Sequence, residues 1–349
     1  MKSLKLSRMA MVMSAVFLVA NFVLMLGMPI VPALAEEGKV YTGRLSYHWF
    51  PKHHSAIFSE KFVNYCKEAT KGRLKITTYP SGELYGIRSA LGAVSQGAVD
   101  MVGIVDVIFV AVDPNFSISS MTYVFDNYKQ LRDLWETKAG KKVMQALQKR
   151  LNVKLLCSVP VGPSYIWTTN KPLPDLKSHK GQKTRFLSVA EKPAYDAMGM
   201  SSVSVATAEI YSAAQQRMIN TMSTVPSAIK AYSWWDFFKY VTHPPQAYID
   251  AYLVANGKWF NRLPKDIQDT VLQVGRRITE ESTASILAFG EKIFKEFEEK
   301  HGGTVTKLTP ENYRELLTFY KQKVYPKLTK RIDPDLVKAA EKVTGKTID

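Results

Sequence analysis

Beyond residue 40 the chain alternates short runs of β-like hydrophobicity with longer stretches of helical period, the pattern of an α/β protein. Residues 41–47 read as a first strand that ends at His48-Trp49-Phe50-Pro51. A helix is predicted over 55–70, where Ile57, Phe58, Phe62, Tyr65 and Ala69 fall near one face and Lys71-Gly72 closes the C-terminus. Alternation over 73–79, with Leu74 and Ile76 on one side, gives a second strand, which 80–82 turns. A helix over 87–96 leads through Gly97 into an apolar strand over 99–105. Strand, helix, strand in this order implies parallel pairing with right-handed crossovers.

The spacing is mostly helical over 126–150, and 153–159 is another apolar strand. Gly162-Pro163 marks a hinge. After it, strands at 165–170, 185–187 and 218–222 and helices at 190–198 and 208–217 make a second α/β unit, and 248–254 reads as a strand returning to the first. From 264 to about 300 runs one helical pattern without an internal proline, with Ile267, Val271, Val274 and Ile278 on one face and Pro264 suited to a first helical position. Unbroken, such a helix is about 55 Å long. That is longer than one small domain is wide, so it bridges two; a pair of helices broken near Gly290 is the alternative. A helical stretch over 309–329 completes the pattern. The expected architecture is a two-domain, periplasmic-binding-protein-like α/β fold: residues 36–161 plus about 249–288 in one domain, 162–248 plus about 289–349 in the other.

The N-terminal pattern is different. Lys2, Lys5 and Arg8 precede an apolar stretch over 9–31, and Ala33-Leu34-Ala35 places small residues where a signal peptidase reads, with Glu36 and Glu37 directly after. This is the pattern of a secretory signal, residues 1–35, cut near Ala35. An uncleaved anchor competes, because the apolar stretch is about as long as a spanning helix. Pro29 and Pro32 favour cleavage by ending the helix where a peptidase needs extended chain, and no cysteine sits at the cut to carry a lipid.

About 314 residues then remain, enough for two domains of ordinary size. With 46% hydrophobic and 22% charged residues the chain can bury real cores. The formal charge of +16 falls by three once Lys2, Lys5 and Arg8 leave. A basic surface attracts nucleic acid, anionic lipid or anionic solutes, but here the excess is spread over Lys-rich helix faces with no basic stretch interleaved with aromatics. Nucleic acid is not the expected partner; an anionic small molecule is. Cys66 and Cys157 are the two cysteines. The apolar run around Cys157 favours two unpaired buried thiols, while the sequence leaves a disulfide open.

Chemistry-bearing motifs are few. His53 and His54 are adjacent and diverge on a helix, and His179, His243 and His301 have no ligand spacing. Neither a glycine-rich phosphate loop nor a nucleophile elbow occurs, so no enzyme is expected.

Several segments, taken in order, resemble one family. Gly72-Arg73-Leu74-Lys75 running into Tyr79-Pro80-Ser81-Gly82-Glu83-Leu84, then Gly97-Ala98-Val99-Asp100-Met101, are similar to the early part of the solute receptors of TRAP (tripartite ATP-independent periplasmic) transporters, the DctP family. Leu176-Lys177 with Gly181-Gln182-Lys183-Thr184-Arg185 resembles their central motif. Ala197-Met198-Gly199-Met200, Glu209-Ile210-Tyr211-Ser212-Ala213-Ala214-Gln215, and Trp259 with Leu263-Pro264 and Gln268 follow in the family's order. The resemblance implies a two-domain periplasmic receptor, a monomer, that closes over an organic acid and delivers it to a membrane permease.

It also implies that Arg185 binds the ligand carboxylate. A guanidinium suits that role, since its planar fork meets both oxygens and stays charged when partly desolvated; an ordinary salt-bridge arginine is the alternative. Receptors for some sugar acids carry a further arginine in the strand that here holds Tyr165, so a second cationic clamp is absent there. Asn220-Thr221 replaces the family's usual Asp-Gly, leaving Ser223 and Thr224 as hydroxyls that could meet a ligand. Ligands in such folds sit at the carboxyl ends of strands. This nominates His48 and Trp49 after the first strand and Asp106 after the strand over 99–105, where Asp106 either accepts from a ligand or caps the next helix. Trp235, from the cluster Trp234-Trp235-Asp236-Phe237-Phe238, and Tyr252 are expected walls beside Tyr165. Some family members hold calcium, and Asp236 and Asp250 can be read that way, but calcium needs several oxygen ligands and two scattered acids do not make a site. No cofactor is expected. The ligand expected is a monocarboxylate with an apolar or aromatic body. A receptor that reports solute to a signalling protein is the second reading, and an enzyme on a related bilobal fold the third.

Overall fold

The computed structural model describes residues 38–348. The proposed export signal and its cut near Ala35 lie outside the described residues. The first half runs β1 (Tyr41–Tyr47), α1 (His54–Ala69), β2 (Leu74–Tyr79), α2 (Ala90–Gln96), β3 (Met101–Val105), α3 (Tyr128–Glu136), α4 (Lys138–Leu151) and β4 (Val153–Ser158). Then come β5 (Gly162–Thr168), β6 (Lys183–Phe186), α5 (Lys192–Ala197), β7 (Ser201–Ser204), α6 (Ile210–Gln215), β8 (Thr221–Thr224), α7 (Pro226–Ala231) and β9 (Tyr240–Ile249). The chain finishes with β10 (Ala251–Asn256), α8 (Gly257–Arg262), α9 (Lys265–His301), β11 (Thr304–Lys307), α10 (Pro310–Lys323), α11 (Tyr325–Thr329) and α12 (Pro334–Thr344). Among these residues no helix is long and apolar enough to cross a membrane.

The strands form two sheets, ordered β2-β1-β3-β10-β4 and β11-β9-β5-β8-β6-β7. β1 pairs in parallel with β2 and β3, as the strand-helix-strand pattern implies. β10 then inserts antiparallel between β3 and β4. The chain therefore passes between the sheets at Ser158 to Gly162 and again at Ile249 to Ala251. The two crossing segments pair with each other, Val159 N–H donating to the Ala251 carbonyl at 2.7 Å and Val161 N–H to that of Ile249 at 3.1 Å. Gly162-Pro163, read as a hinge, stands at this crossing as the buried start of β5.

The third connection is α9. It is one unbroken helix of 37 residues, so Gly290 does not break it. Ile267, Val271, Val274 and Ile278 bury its first half beside α1 and β4, and Ile293 and Phe297 bury its second half on the other lobe. At about 55 Å it reaches across both lobes, as its length requires.

The buried face of α1 differs from the hydrophobic reading. Ile57 and Ala69 are exposed, whereas Ser55, Phe58, Ser59, Phe62 and Cys66 are buried. The serines enter the core because each carries its own acceptor: Ser55 Oγ lies 3.3 Å from the Val159 and Pro160 carbonyls, and Ser59 Oγ donates to the Ser55 carbonyl at 2.7 Å. A hydroxyl that is hydrogen-bonded locally costs little to bury.

Other expectations need adjusting. The helical region over 126–150 splits at Thr137, whose side chain caps α4 by accepting from Gly140 N–H at 3.0 Å. Residues 248–254 are not one strand: Asp250 separates β9 from β10. The earlier part of β9 escaped the pattern because Pro244-Pro245 sit in it, tolerated where the pairing with β5 shifts register. The C-terminal residues do not all stay with the second lobe, because α12 packs on α3 and α4. Lys142 pairs with Asp333 at 3.2 Å, and Lys346 Nζ reaches the Tyr123 carbonyl at 3.0 Å. Cys66 and Cys157 are both unpaired and buried.

Candidate functional site

Between the lobes, at the carboxyl ends of β1, β3, β6 and β8, lies a cavity of about 80 Å³. That is room for a few water-sized groups in the shut cleft. The lobes meet across its mouth. Tyr232 Oη donates to the His48 carbonyl at 3.0 Å, Arg88 Nη2 to Ser204 Oγ at 2.5 Å, and the Phe50 and Tyr232 rings lie 4.5 Å apart. This is a closed arrangement.

The first lobe contributes His48 and Trp49. The turn after β2 fixes where β1 ends, since Ser81 N–H donates to the Trp49 carbonyl at 3.1 Å and Gly82 N–H to that of Tyr47 at 2.9 Å. Trp49, 1% exposed, packs against Gly103 of β3, where a Cβ would come within 2.4 Å of the indole. Only glycine admits that ring. Trp49 also stacks on His53 at 6.0 Å. His53 Nδ1 accepts from Ser55 N–H, so its proton sits on Nε2, which faces Ser227 Oγ at 3.2 Å. Burial, and next the charge of Arg185, hold His48 down at about 3, so it stands neutral beside that guanidinium.

The second lobe contributes Arg185 from β6, flanked by β7 and β8. The side chain is 5% exposed. Its Nε donates to the Val205 carbonyl at 3.0 Å, but Nη2 has no hydrogen-bond partner. Glu191 is the nearby opposing charge, held by the N–H groups of Leu187 and Ser188 at 2.7 and 3.0 Å. Burial pushes the Glu191 carboxyl up and Arg185 pulls it back. Two further buried atoms of the lining, His48 Nδ1 and Trp49 Nε1, also lack partners. Buried donors are seldom left unpaired, so the free N–H groups of Arg185 and Trp49, with His48 Nδ1 beside them, mark a place built for a polar ligand whose oxygens accept.

Of the residues expected from sequence, Arg185, Trp49, His48 and Thr224 line this cavity. The others are placed elsewhere. Tyr165 follows Ser164 by one position and so faces away from it, packing on His243 and Phe294 at 4.5 and 5.0 Å. Ser164 lines the cavity in its place and meets Ser223 Oγ at 2.8 Å. Trp235 stacks on His301 at 3.9 Å, at the end of α9, and its neighbour Trp234 lines the cavity with Tyr232. Tyr252 is buried in β10 against Phe109. Asp236 is exposed, accepting from Tyr211 Oη at 3.3 Å. Asp250 accepts from Ser158 Oγ at 2.6 Å at the lobe crossing. Among the described residues no group of three or more His, Cys, Asp or Glu side chains is disposed to hold a metal ion. Glu191, His53 and Ser164 gave no sequence signal; Trp234 gave one that its neighbour shared.

Asp106 lies under the floor formed by Val105 and Val107. It is 1% exposed, and neither carboxyl oxygen completes a hydrogen bond. Burial first, then the charge of Asp250, push it well above the usual carboxylate range. The folded chain thus keeps a proton that the unfolded chain releases near pH 4. Stability from this group is fully present below that pH and is lost as pH rises toward the raised value. The neutral Asp106→Asn variant should therefore melt higher than wild type at pH 7.5, with a smaller difference at pH 4.5. A variant that melts lower at pH 7.5 would show instead that an ionised Asp106 is held by a partner.

Two lobes joined by crossing strands and one spanning helix, shut over a cleft with a buried guanidinium in its wall, define a bilobal solute-binding protein. The chain belongs to the DctP family, bacterial extracellular solute-binding protein family 7, whose model matches residues 45–332. It is 25% identical over 294 residues to the C4-dicarboxylate-binding periplasmic protein DctP of Vibrio cholerae, across 83% of this chain and 86% of that one. It is 23% identical over 320 residues to the protein of the same name from Rhodobacter capsulatus, across 90% and 93%. In fold it matches a Bordetella pertussis extracytoplasmic solute receptor binding pyroglutamic acid, with a TM-score of 0.80, 23% identity, and 88% and 100% of the two chains covered. The protein is a periplasmic solute receptor of the TRAP type, a transport protein and not an enzyme.

Proposed function

We propose that this receptor binds a small monocarboxylate with an apolar or aromatic body and hands it to a TRAP membrane permease. The observation that carries this reading is Arg185 Nη2, buried and unpartnered at the wall of a largely apolar cleft. A carboxylate there gains a charge-assisted bond from a donor that has already been desolvated. Trp49 Nε1 is a second donor of the same kind. Among the described residues lining the cavity, Arg185 is the one Arg or Lys, and Glu191 stands beside it, which supports one carboxylate over two. Ile87, Val105, Val107 and Leu187 offer no hydrogen bonds to a polyhydroxylated chain, while Trp49, Tyr232 and Trp234 suit a flat or apolar body. The Bordetella pertussis receptor, which binds the ring monocarboxylate pyroglutamic acid, is a relative in keeping with this; the C4-dicarboxylate-binding relatives are a reason to test diacids too.

A thermal-shift screen of the purified receptor tests the reading, using pyroglutamate, aromatic monocarboxylates, succinate and galactonate, each with and without calcium. A ligand at about 100 times its dissociation constant adds roughly 2.7 kcal/mol to folding stability. Monocarboxylates should raise the melting temperature most, and independently of calcium. A shift confined to neutral sugars or cationic amines would overturn the assignment.

A further inference from the structure

The three connections between the lobes are tied together by two side chains that lie outside the ligand cleft. Tyr128 and Arg132 sit one turn apart on the same face of α3, whose first turn is capped by the Asn127 side chain. Tyr128 is buried, and its hydroxyl bridges both crossing segments: it donates to the Ile249 carbonyl at 2.8 Å and accepts from Gly162 N–H at 2.9 Å. Arg132 reaches the third connection. Its Nη2 contacts Thr283 Oγ1 of α9 and lies 3.5 Å from both the Thr279 carbonyl and Ser158 Oγ. Ser158 completes the set, donating through Oγ to Asp250 at 2.6 Å and through N–H to Thr279 Oγ1 at 3.0 Å. Every segment about which the lobes must rotate is thus bonded to one face of one helix.

We propose that Tyr128 and Arg132 are positioning residues that set the balance between the open and closed receptor, and through it the affinity for solute. The bonds belong to the arrangement in which the cleft is shut, since they coexist with the Tyr232–His48 and Arg88–Ser204 contacts across its mouth. Gly162 and Ile249 stay paired in the β5–β9 ladder, so rotation of the lobes moves α3 relative to that pair, and the Tyr128 hydroxyl holds both bonds in the closed geometry. Closure is therefore stabilised away from the ligand, which allows affinity to be tuned without altering which acid fits. The inference does not depend on the identity of the solute.

The test uses spin labels on Leu84→Cys and Val189→Cys, exposed positions near the cleft-lining Ile87 and Leu187 on opposite lobes. Cys66 and Cys157 are buried and stay unlabelled. Inter-label distances are measured by pulsed electron paramagnetic resonance in the ligand-free receptor, in Tyr128→Phe and in Arg132→Gln. Tyr128→Phe keeps the ring that packs on Tyr248 and removes only the bridge. Because Tyr128→Phe breaks two hydrogen bonds, the closed-to-open ratio should fall about fivefold or more, the worth of at least one of them, and Arg132→Lys should recover part of the loss seen in Arg132→Gln. Distances unmoved in both variants would overturn the proposal, even if the melting temperature drops, because a purely structural role lowers stability without opening the cleft. As no solute is added, this result is separate from that of the carboxylate screen.

Discussion

Arg185→Ala is expected to reduce carboxylate affinity about 30-fold or more while leaving the receptor folded. Truncating one partner of a buried, hydrogen-bonded charge pair costs about 2–5 kcal/mol, and here the ligand carboxylate would be left in an apolar cleft beside Glu191. Folding should tolerate the change, because Glu191 keeps its bonds from the N–H groups of Leu187 and Ser188. Arg185→Lys should recover only part of the affinity. An ammonium restores the charge but not the planar fork that bonds the Val205 carbonyl through Nε while presenting Nη2 to the cleft. Calorimetric titration of the three proteins reads the effect; equal affinity in wild type and Arg185→Ala would remove the arginine from the site.

A large effect on folding is expected at Gly275, inside α9. An added Cβ would come within 2.2 Å of the Leu156 carbonyl oxygen and 3.4 Å of the Cys157 side chain, so the helix would have to lift off β4. Backbone cannot yield as a flexible side chain does, and Gly275→Ala should cost about 3 kcal/mol or more. Gly290 on the same helix is the control. There the nearest atom to an added Cβ is Pro226 Cγ at 3.8 Å, an ordinary contact. Gly290→Ala should be neutral or stabilising by up to about 1 kcal/mol, the usual gain of alanine over glycine in a helix. Urea denaturation of both variants separates close backbone packing from helix propensity, and a stabilised Gly275→Ala would contradict the packing described here.

The sequence revealed what periodicity encodes and concealed what pairing and register decide. The span of α9 was legible because it is one long, regular run whose buried positions are mostly apolar. The face of α1 was not, since Ser55 and Ser59 are buried by satisfying their own hydroxyls, which no hydrophobic pattern reports. The same limit governs the site. Arg185, His48 and Trp49 stand at strand ends, where an α/β cleft must form. Tyr165 misled by one position, and in a strand one position is the difference between lining the cleft and packing against α9. Trp234 and Trp235 differ only in which way a short turn throws each ring, a choice made by His301 at the far end of a helix more than sixty residues away. The single-arginine argument survives the loss of Tyr165 from the site, because it now rests on the cavity lining itself.

The measurement that bears most directly on the central claim is a crystal structure of the receptor with its tightest-binding acid from the screen. The account predicts a carboxylate within about 2.7–2.9 Å of Arg185 Nη2, with the acid's body against Trp49 and the Tyr232–Trp234 pair. A ligand that places a hydroxyl, an amine or an apolar group at Arg185, or that binds outside this cleft, would contradict it.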